Sequence, residues 1–112
     1  MVKDMIDLLQ WLQDIYANDL CNGSWEHVHG FSITNIDNPG WDFKFDLIDT
    51  DIEYIPFEEV FIRKDDDNWY HCRIQSGVFE GWGGTKNLTD ILFVFREWYL
   101  YASKIANNRK DF

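Results

Sequence analysis

The strict alternation of residues 41–47 is the feature that most constrains the fold of this chain. Large apolar side chains alternate with charged ones, Trp41, Phe43, Phe45 and Leu47 against Asp42, Lys44 and Asp46. Successive side chains of a strand point to opposite faces, so this pattern predicts a strand with one buried and one hydrated face. Residues 31–36 alternate more weakly, and the two segments together predict an antiparallel hairpin over residues 31–47. Its three aromatic rings are expected to form the floor of the core.

The turn of this hairpin is predicted from Asn38-Pro39-Gly40. Proline fixes φ at the second position of a turn, and glycine tolerates the positive φ that a type II turn needs at the third. A two-residue hairpin loop would favour Asn-Gly, so we predict a four-residue connection around residues 37–40.

Two segments have the apolar spacing of one-sided helices. The first predicts a helix over residues 3–18, with a stripe of Met5, Leu8, Leu9, Leu12, Ile15 and Tyr16. The second predicts a longer C-terminal helix, with a stripe of Leu88, Ile91, Leu92, Phe95, Trp98, Tyr99, Ala102 and Ile105. Thr85 or Asn87 is expected to cap the second helix, because both side chains can accept a hydrogen bond from its first turn.

A second hairpin is predicted from residues 57–64 and 69–75, joined by residues 65–68, and residues 78–80 favour a short fifth strand. In that hairpin Val60 and Ile62 are expected to face the core, with His71 on the outer side. The sequence therefore predicts an α+β fold in a single domain over residues 1–112. It consists of an N-terminal helix, a twisted antiparallel sheet of four to five strands in two hairpins, and a C-terminal helix packed on the sheet. Both helices are expected on one face.

Composition narrows the class of protein. The chain has 112 residues, of which 46% are hydrophobic and 18% aromatic, so it has the apolar content of a folded domain. Asp4, Asp7 and Asp14 interrupt what would be the apolar region of a secretory signal, and no apolar run approaches the roughly 20 residues that cross a bilayer. Two cysteines are too few for a disulfide scaffold, and we expect Cys21 and Cys72 to be buried, reduced thiols of a cytoplasmic protein.

The charge is strongly negative and unevenly distributed. The formal net charge is −10, and residues 37–67 carry eleven acids against three bases. Such a surface repels phosphate backbones, which argues against a nucleic-acid ligand, and it attracts basic proteins. The alternative interpretation is a charged surface that serves solubility alone.

Motifs for cofactor chemistry are incomplete. Gly81-Trp82-Gly83-Gly84 lacks the Lys-Ser/Thr pair of a phosphate-binding loop, and positive φ at a strand-to-helix corner would explain its glycines. Asp65-Asp66-Asp67-Asn68 lacks the alternate spacing and the distant Glu of a calcium loop, so it is interpreted as a solvated hairpin tip. The sequence predicts no cofactor and no metal.

Catalytic groups are not brought together by these patterns. On a strand, His27 and His29 would share one face while Glu26 would point away, and their spacing is not that of a zinc site. His71 and Cys72 would likewise face apart, so they could not form a nucleophile-base pair directly. We predict no catalytic residue. The alternative is a small metal-dependent enzyme that uses Glu26, His27 and His29.

An ordered series of short motifs covers most of the chain. They run in the order Trp11-Leu12-Gln13, Gly23-x-Trp25-Glu26-His27-x-x-Gly30, Asp37-Asn38-Pro39-Gly40-Trp41, Asp46-Leu47, Pro56-Phe57-Glu58-Glu59-Val60, Asp67-Asn68-Trp69-x-x-Cys72, Phe79-Glu80-Gly81-x-Gly83-Gly84 and Asn87-Leu88-x-x-Ile91-Leu92-x-x-Phe95-x-x-Trp98. In order and spacing these resemble the immunity protein 53 family of bacterial polymorphic toxin systems. The resemblance extends from about Leu9 to Trp98.

The resemblance implies a cytoplasmic bacterial antitoxin that binds and neutralises a toxin encoded beside it, and it implies no catalytic residue. Together with the charge, it predicts an acidic toxin-binding surface composed of Asp49, Asp51, Glu53, Tyr54, Glu58, Glu59, Asp65, Asp66, Asp67 and Trp69. A nuclease domain with a basic cleft is the kind of toxin that this surface fits. A third option is an oligomeric structural protein that associates through the apolar faces of its strands.

Overall fold

The computed structural model describes the backbone of residues 2–110 and the side chains of residues 7–109. Its helices are α1 (Val2–Ile15), which continues into a π-helical turn (Tyr16–Leu20), the one-turn α2 (Trp25–Val28) and α3 (Leu88–Lys110). Its strands are β1 (Phe31–Ile36), β2 (Gly40–Asp46), β3 (Val60–Asp65), β4 (Asn68–Gln75) and β5 (Val78–Gly83). This order confirms the predicted α+β fold. The Met5 side chain of the first stripe lies outside the described residues.

All five strands form one antiparallel sheet in the order β1-β2-β5-β4-β3. Both predicted hairpins are confirmed, and Val60 and Ile62 lie opposite Cys72 and Tyr70. Val60 packs against the core as expected, whereas Ile62 is 38% exposed because β3 is an edge strand. The fifth strand is longer than predicted and occupies the centre, where it pairs with β2 on one side and β4 on the other. As a result, residues 47–59 must cross from β2 to β3, the edge strand of the other hairpin. We call these residues the crossover segment.

The core lies between one face of the sheet and the helices. Phe95 of α3 contacts the rings of Phe45 at 4.7 Å, Phe79 at 4.8 Å and Phe43 at 5.3 Å between centroids, and all four side chains are fully buried. Trp11 of α1 packs edge-on against Phe95, which places α1 beside α3 on the same face. Of the predicted aromatic floor, Phe43 and Phe45 are confirmed as fully buried, and Trp41 packs against the core while only partly buried. Within the described residues, no helix combines the length and the apolar character that crossing a membrane requires.

The turn of the first hairpin differs from the prediction. Gly40 is already part of β2, where it pairs with Ile36, and its φ is not positive. The connection therefore comprises only residues 37–39, with a cis bond between Asn38 and Pro39. Glycine is required at position 40 for space instead, since a Cβ there would lie 2.2 Å from the carbonyl oxygen of Gly83.

The glycines of the Gly81–Gly84 motif also have a different role from the predicted corner. Gly81 and Gly83 are inside β5, and neither has a positive φ. A Cβ on Gly81 would lie 2.4 Å from Cγ2 of Ile91, and one on Gly83 would lie 3.0 Å from Cδ1 of the same side chain. These glycines allow α3 to lie directly on the central strand. Asn87, which is buried just before α3, accepts the backbone N–H of Trp69 and so joins the helix start to β4.

Gly81→Ala tests this close approach. We expect the free energy of unfolding to fall by about 2 kcal/mol, because the added methyl group must displace the fully buried Ile91. Gly30→Ala is the matched control, since a Cβ on Gly30 meets nothing within 4 Å, and its effect should stay within about 1 kcal/mol. Urea denaturation of both variants measures the difference. Equal stabilities would contradict the role assigned to Gly81.

Candidate functional site

The crossover segment presents acids on a backbone that is anchored to the core. Ile52 and Ile55 are buried, at 4% and 3% exposure, while Tyr54 between them is 85% exposed. The backbone N–H of Leu47 donates to the carbonyl of Gly77 at 2.8 Å, which ties the start of the segment to the turn before β5. We call its carboxylates the crossover acids, comprising Asp49, Asp51, Glu53, Glu58 and Glu59.

The remaining predicted residues lie at the far end of β3. Asp65, Asp66 and Asp67, here called the tip acids, are exposed around the turn between β3 and β4. Asp66 is paired with Arg63, and the Asp65 carboxylate accepts the backbone N–H of Asp67 at 2.8 Å. The six residues of β3 span about 17 Å at roughly 3.4 Å per residue, so the strand separates the tip acids from Glu58 and Glu59. The half-buried Trp69 lies beside the tip acids.

His29 fastens the crossover segment to the end of α2. Its Nδ1 lies 2.5 Å from Oδ2 of Asp46, its Nε2 lies 3.1 Å from Oδ2 of Asp49, and its side chain is 9% exposed. The hydrogen bond with Asp49, followed by that with Asp46, raises the pKa of His29 above its ordinary value of 6.5. Asp49 itself has a φ of 67° and is held further by its own N–H, which donates to Glu53 at 3.0 Å.

A groove of about 470 Å³ lies between this segment, the π-helical turn and the second half of α3. Asp19, Asp49 and Asp51 line it together with Tyr99 and Asn107. Burial, with the nearby Asp19 carboxylate, raises the pKa of Tyr99, so this phenol is neutral at physiological pH. The groove thus has the polarity to receive a cationic side chain.

The three residues of the predicted metal-dependent alternative do not converge, although a carboxylate oxygen of Glu26 lies 3.8 Å from Nε2 of His27. Residues 25–28 form a helical turn rather than a strand, because the Glu26 carboxylate accepts the backbone N–H groups of Asn22 and Gly23. His27 is 74% exposed, and both ring nitrogens of His29 are engaged by aspartates. In the described part of the chain, no three His, Cys, Asp or Glu side chains form a group that could hold a metal. The metal-dependent enzyme therefore has no support.

The two cysteines have different environments. Cys72 is fully buried, as predicted, and burial raises the pKa of its thiol to about 12. Cys21 is exposed, so the prediction of a second buried thiol is wrong, and both cysteines are free. His71 lies on the opposite face of β4, where its Nε2 is 2.6 Å from a carboxylate oxygen of Glu59. It consequently cannot activate Cys72.

The open face of the sheet bears a row of rings, here called the ring row, which the sequence patterns did not indicate. Phe61, His71 and Trp82 lie side by side on β3, β4 and β5, with centroid distances of 5.1 and 5.5 Å, and Phe61 is 62% exposed. The Arg73 guanidinium lies 5.1 Å from the Trp82 ring and bonds Glu80 at 3.0 Å. The alternation of β3 already placed Phe61 on the outer face, which was the available sequence signal for this row. The position of Trp82 could not be predicted, because β5 was expected to end before it.

Comparison with known families identifies the chain. The family described as immunity protein 53 matches residues 9–99, which run from α1 to Tyr99 in α3. The chain belongs to the immunity protein 53 family. Neither the curated proteins nor the solved structures yield a match. The matched range contains the whole sheet, the crossover segment and both ends of β3, whereas the groove extends beyond it to Asn107.

Thiol labelling tests the contrast between the cysteines in this immunity protein 53 family member. We expect Cys21 to react rapidly with an aromatic disulfide reagent in the native protein and Cys72 to react only after unfolding, since a buried thiol with a pKa of about 12 supplies little thiolate. The Cys21→Ser variant should show no fast phase. Rapid labelling of that variant would contradict the assigned burial of Cys72.

The pH dependence of stability tests the His29 contact. Because its pKa is raised in the folded state, the stabilisation is complete below the unfolded value of about 6.5 and is lost as the pH rises through the folded pKa. Urea denaturation from pH 6 upward should show the free energy of unfolding falling in this way. In the His29→Gln variant this pH dependence should be absent. His27→Gln retains both contacts of His29 and should keep the pH dependence. The same pH profile in His29→Gln and the parent protein would exclude the contact as its cause.

Proposed function

We propose that this protein is an antitoxin of a bacterial polymorphic toxin system, which binds its cognate toxin in the cytoplasm and neutralises it through the acidic surface. Membership of the immunity protein 53 family carries this proposal. The binding surface consists of the crossover acids and tip acids with Tyr54 and Trp69. It needs no catalytic residue and no cofactor.

Charge supports a basic partner. The chain has twenty acids and ten Lys or Arg residues, and more than half of the acids lie between residues 37 and 67. Opposite potentials accelerate encounter and fix orientation, so a toxin with a positive cleft would be captured quickly. A nuclease domain is the partner of this kind that we favour, because carboxylates can occupy the positions where its cleft binds phosphates.

The anchoring of the crossover segment supports a preorganised surface. Ile52 and Ile55 lie in the core on either side of Tyr54, and His29 holds Asp49. A segment that is already ordered loses little conformational entropy on binding. Exposed aromatic side chains frequently supply much of the energy of an interface, which makes Tyr54 the anchor of this surface.

A charge-matched pair of double variants tests this surface against the toxin domain encoded beside the protein. Asp51→Asn/Glu58→Gln removes two crossover acids, whereas Asp14→Asn/Glu97→Gln removes two exposed acids from the helices, with the same change in net charge. We expect the association rate constant at low salt to fall about tenfold in the first variant and much less in the second. The difference should shrink at high salt, because ions screen steering.

Stopped-flow binding measures these rate constants, and growth of cells that express the toxin measures neutralisation. Equal rates for the two double variants would exclude the crossover acids as the steering surface while leaving an antitoxin in place. Failure of the unmodified protein to bind the toxin domain or to protect cells would overturn the antitoxin function itself.

A further inference from the structure

The edge strand β3 has an open side. It is the last strand in the sheet order, so only β4 pairs with it within the described residues. Over residues 60–63 every second residue directs its N–H and C=O away from the sheet, before a register shift between Arg63 and Asp65 interrupts the pairing. Five of its six residues are exposed, among them Phe61 at 62% and Ile62 at 38%. Large apolar side chains on an unpaired edge make a template for an added strand.

The ring row ends at this edge. The row runs from Arg73 through Trp82 and His71 to Phe61, each side chain in contact with the next. On the outer side of Phe61 no described residue continues it. A strand added beside β3 would place one of its side chains there, about 5 Å away. Asp66 lines a pocket together with Phe61 and is paired with Arg63, and Glu59 contacts His71, the neighbour of Phe61 in the ring row. An arginine is the residue that best combines ring stacking with these carboxylates.

We propose that β3 takes up an extended, basic segment of the toxin as a sixth strand, with an arginine of that segment stacked on Phe61. The inference rests on the proposed function, because it presupposes that the partner is a toxin. It adds the mode of binding, in which backbone hydrogen bonds supply affinity while Phe61 and the acids at both ends of β3 select a basic strand.

The distribution of charge argues against a second copy of this chain as the occupant. In the register that aligns the whole of β3, with residue 60 of one copy opposite residue 65 of the other, antiparallel pairing about a twofold axis would bring Glu58 and Glu59 opposite tip acids at both ends of the pair. Like charges directly opposite one another destabilise a pair of strands. A basic strand meets the same acids favourably, so the charges that oppose this full-length self-pairing also favour the partner.

Residue-resolved amide exchange tests strand addition directly. In the free protein the outward N–H groups of β3 should exchange rapidly, and in the complex with the toxin domain every second amide of residues 60–63, before the register shift, should become protected by at least about tenfold. The intervening amides already bond β4 and should change less. A complex in which the outward amides exchange as in the free protein would overturn strand addition while the antitoxin function stands. Absence of any complex would overturn both.

Phe61→Ala and Phe93→Ala form a matched pair, since Phe93 is 49% exposed on α3. We expect Phe61→Ala to weaken the equilibrium affinity for the toxin domain by about tenfold or more, and Phe93→Ala to leave it within about twofold. Both variants should unfold at the urea concentration of the parent, because both side chains are largely exposed. Equal affinities would overturn the role of Phe61, as would a dimer of the free protein in sedimentation that already protects the β3 amides.

Discussion

The packing of Phe95 against the sheet is the contact on which the rest of the structure depends. Its ring contacts two neighbouring strands, through Phe43 and Phe45 on β2 and Phe79 on β5, and Trp11 of α1 packs edge-on against it. Burying one such side chain contributes roughly 1.5–3 kcal/mol, so this cluster is a large part of what stabilises the fold. α3 can lie this close to the central strand only because Gly81 and Gly83 have no side chains there.

The same packing decides what the protein can present to a partner. Because α1 and α3 cover one face, the other face of the sheet and the β3 edge remain open. The crossover segment is anchored to the core by two contacts. Phe57 packs on Phe79, and Trp98 Nε1 donates to the carbonyl of Pro56 at 2.9 Å. Its acids are thus carried by an ordered backbone, and the open edge of β3 lies between them and the tip acids.

The candidate surface followed from the sequence only in part. The excess of acids in residues 37–67 is a property of the composition, and it indicated the sign of the partner's charge. Its division between the two ends of β3 is a property of the sheet, because a strand of six residues keeps its ends apart. The contacts of His29 with Asp46 and Asp49 could not be predicted from the sequence either. These aspartates follow His29 by 17 and 20 positions and meet it only after folding. Residues 25–28 form a helical turn rather than the strand considered from the sequence, and in this turn the Glu26 carboxylate accepts the N–H groups of residues 22 and 23.

The sequence by itself determined the local elements and the faces of their side chains. The alternation of residues 41–47 and the apolar stripe of α3 predict which side of each element is buried, and the structure confirms both predictions. Only the tertiary structure decided which elements are neighbours. β5 lies in the centre because that position joins the two hairpins into one core, and its glycines serve the approach of Ile91 rather than a turn. Periodicity reports on contacts within a few residues, whereas strand order is set by the burial that the whole chain achieves.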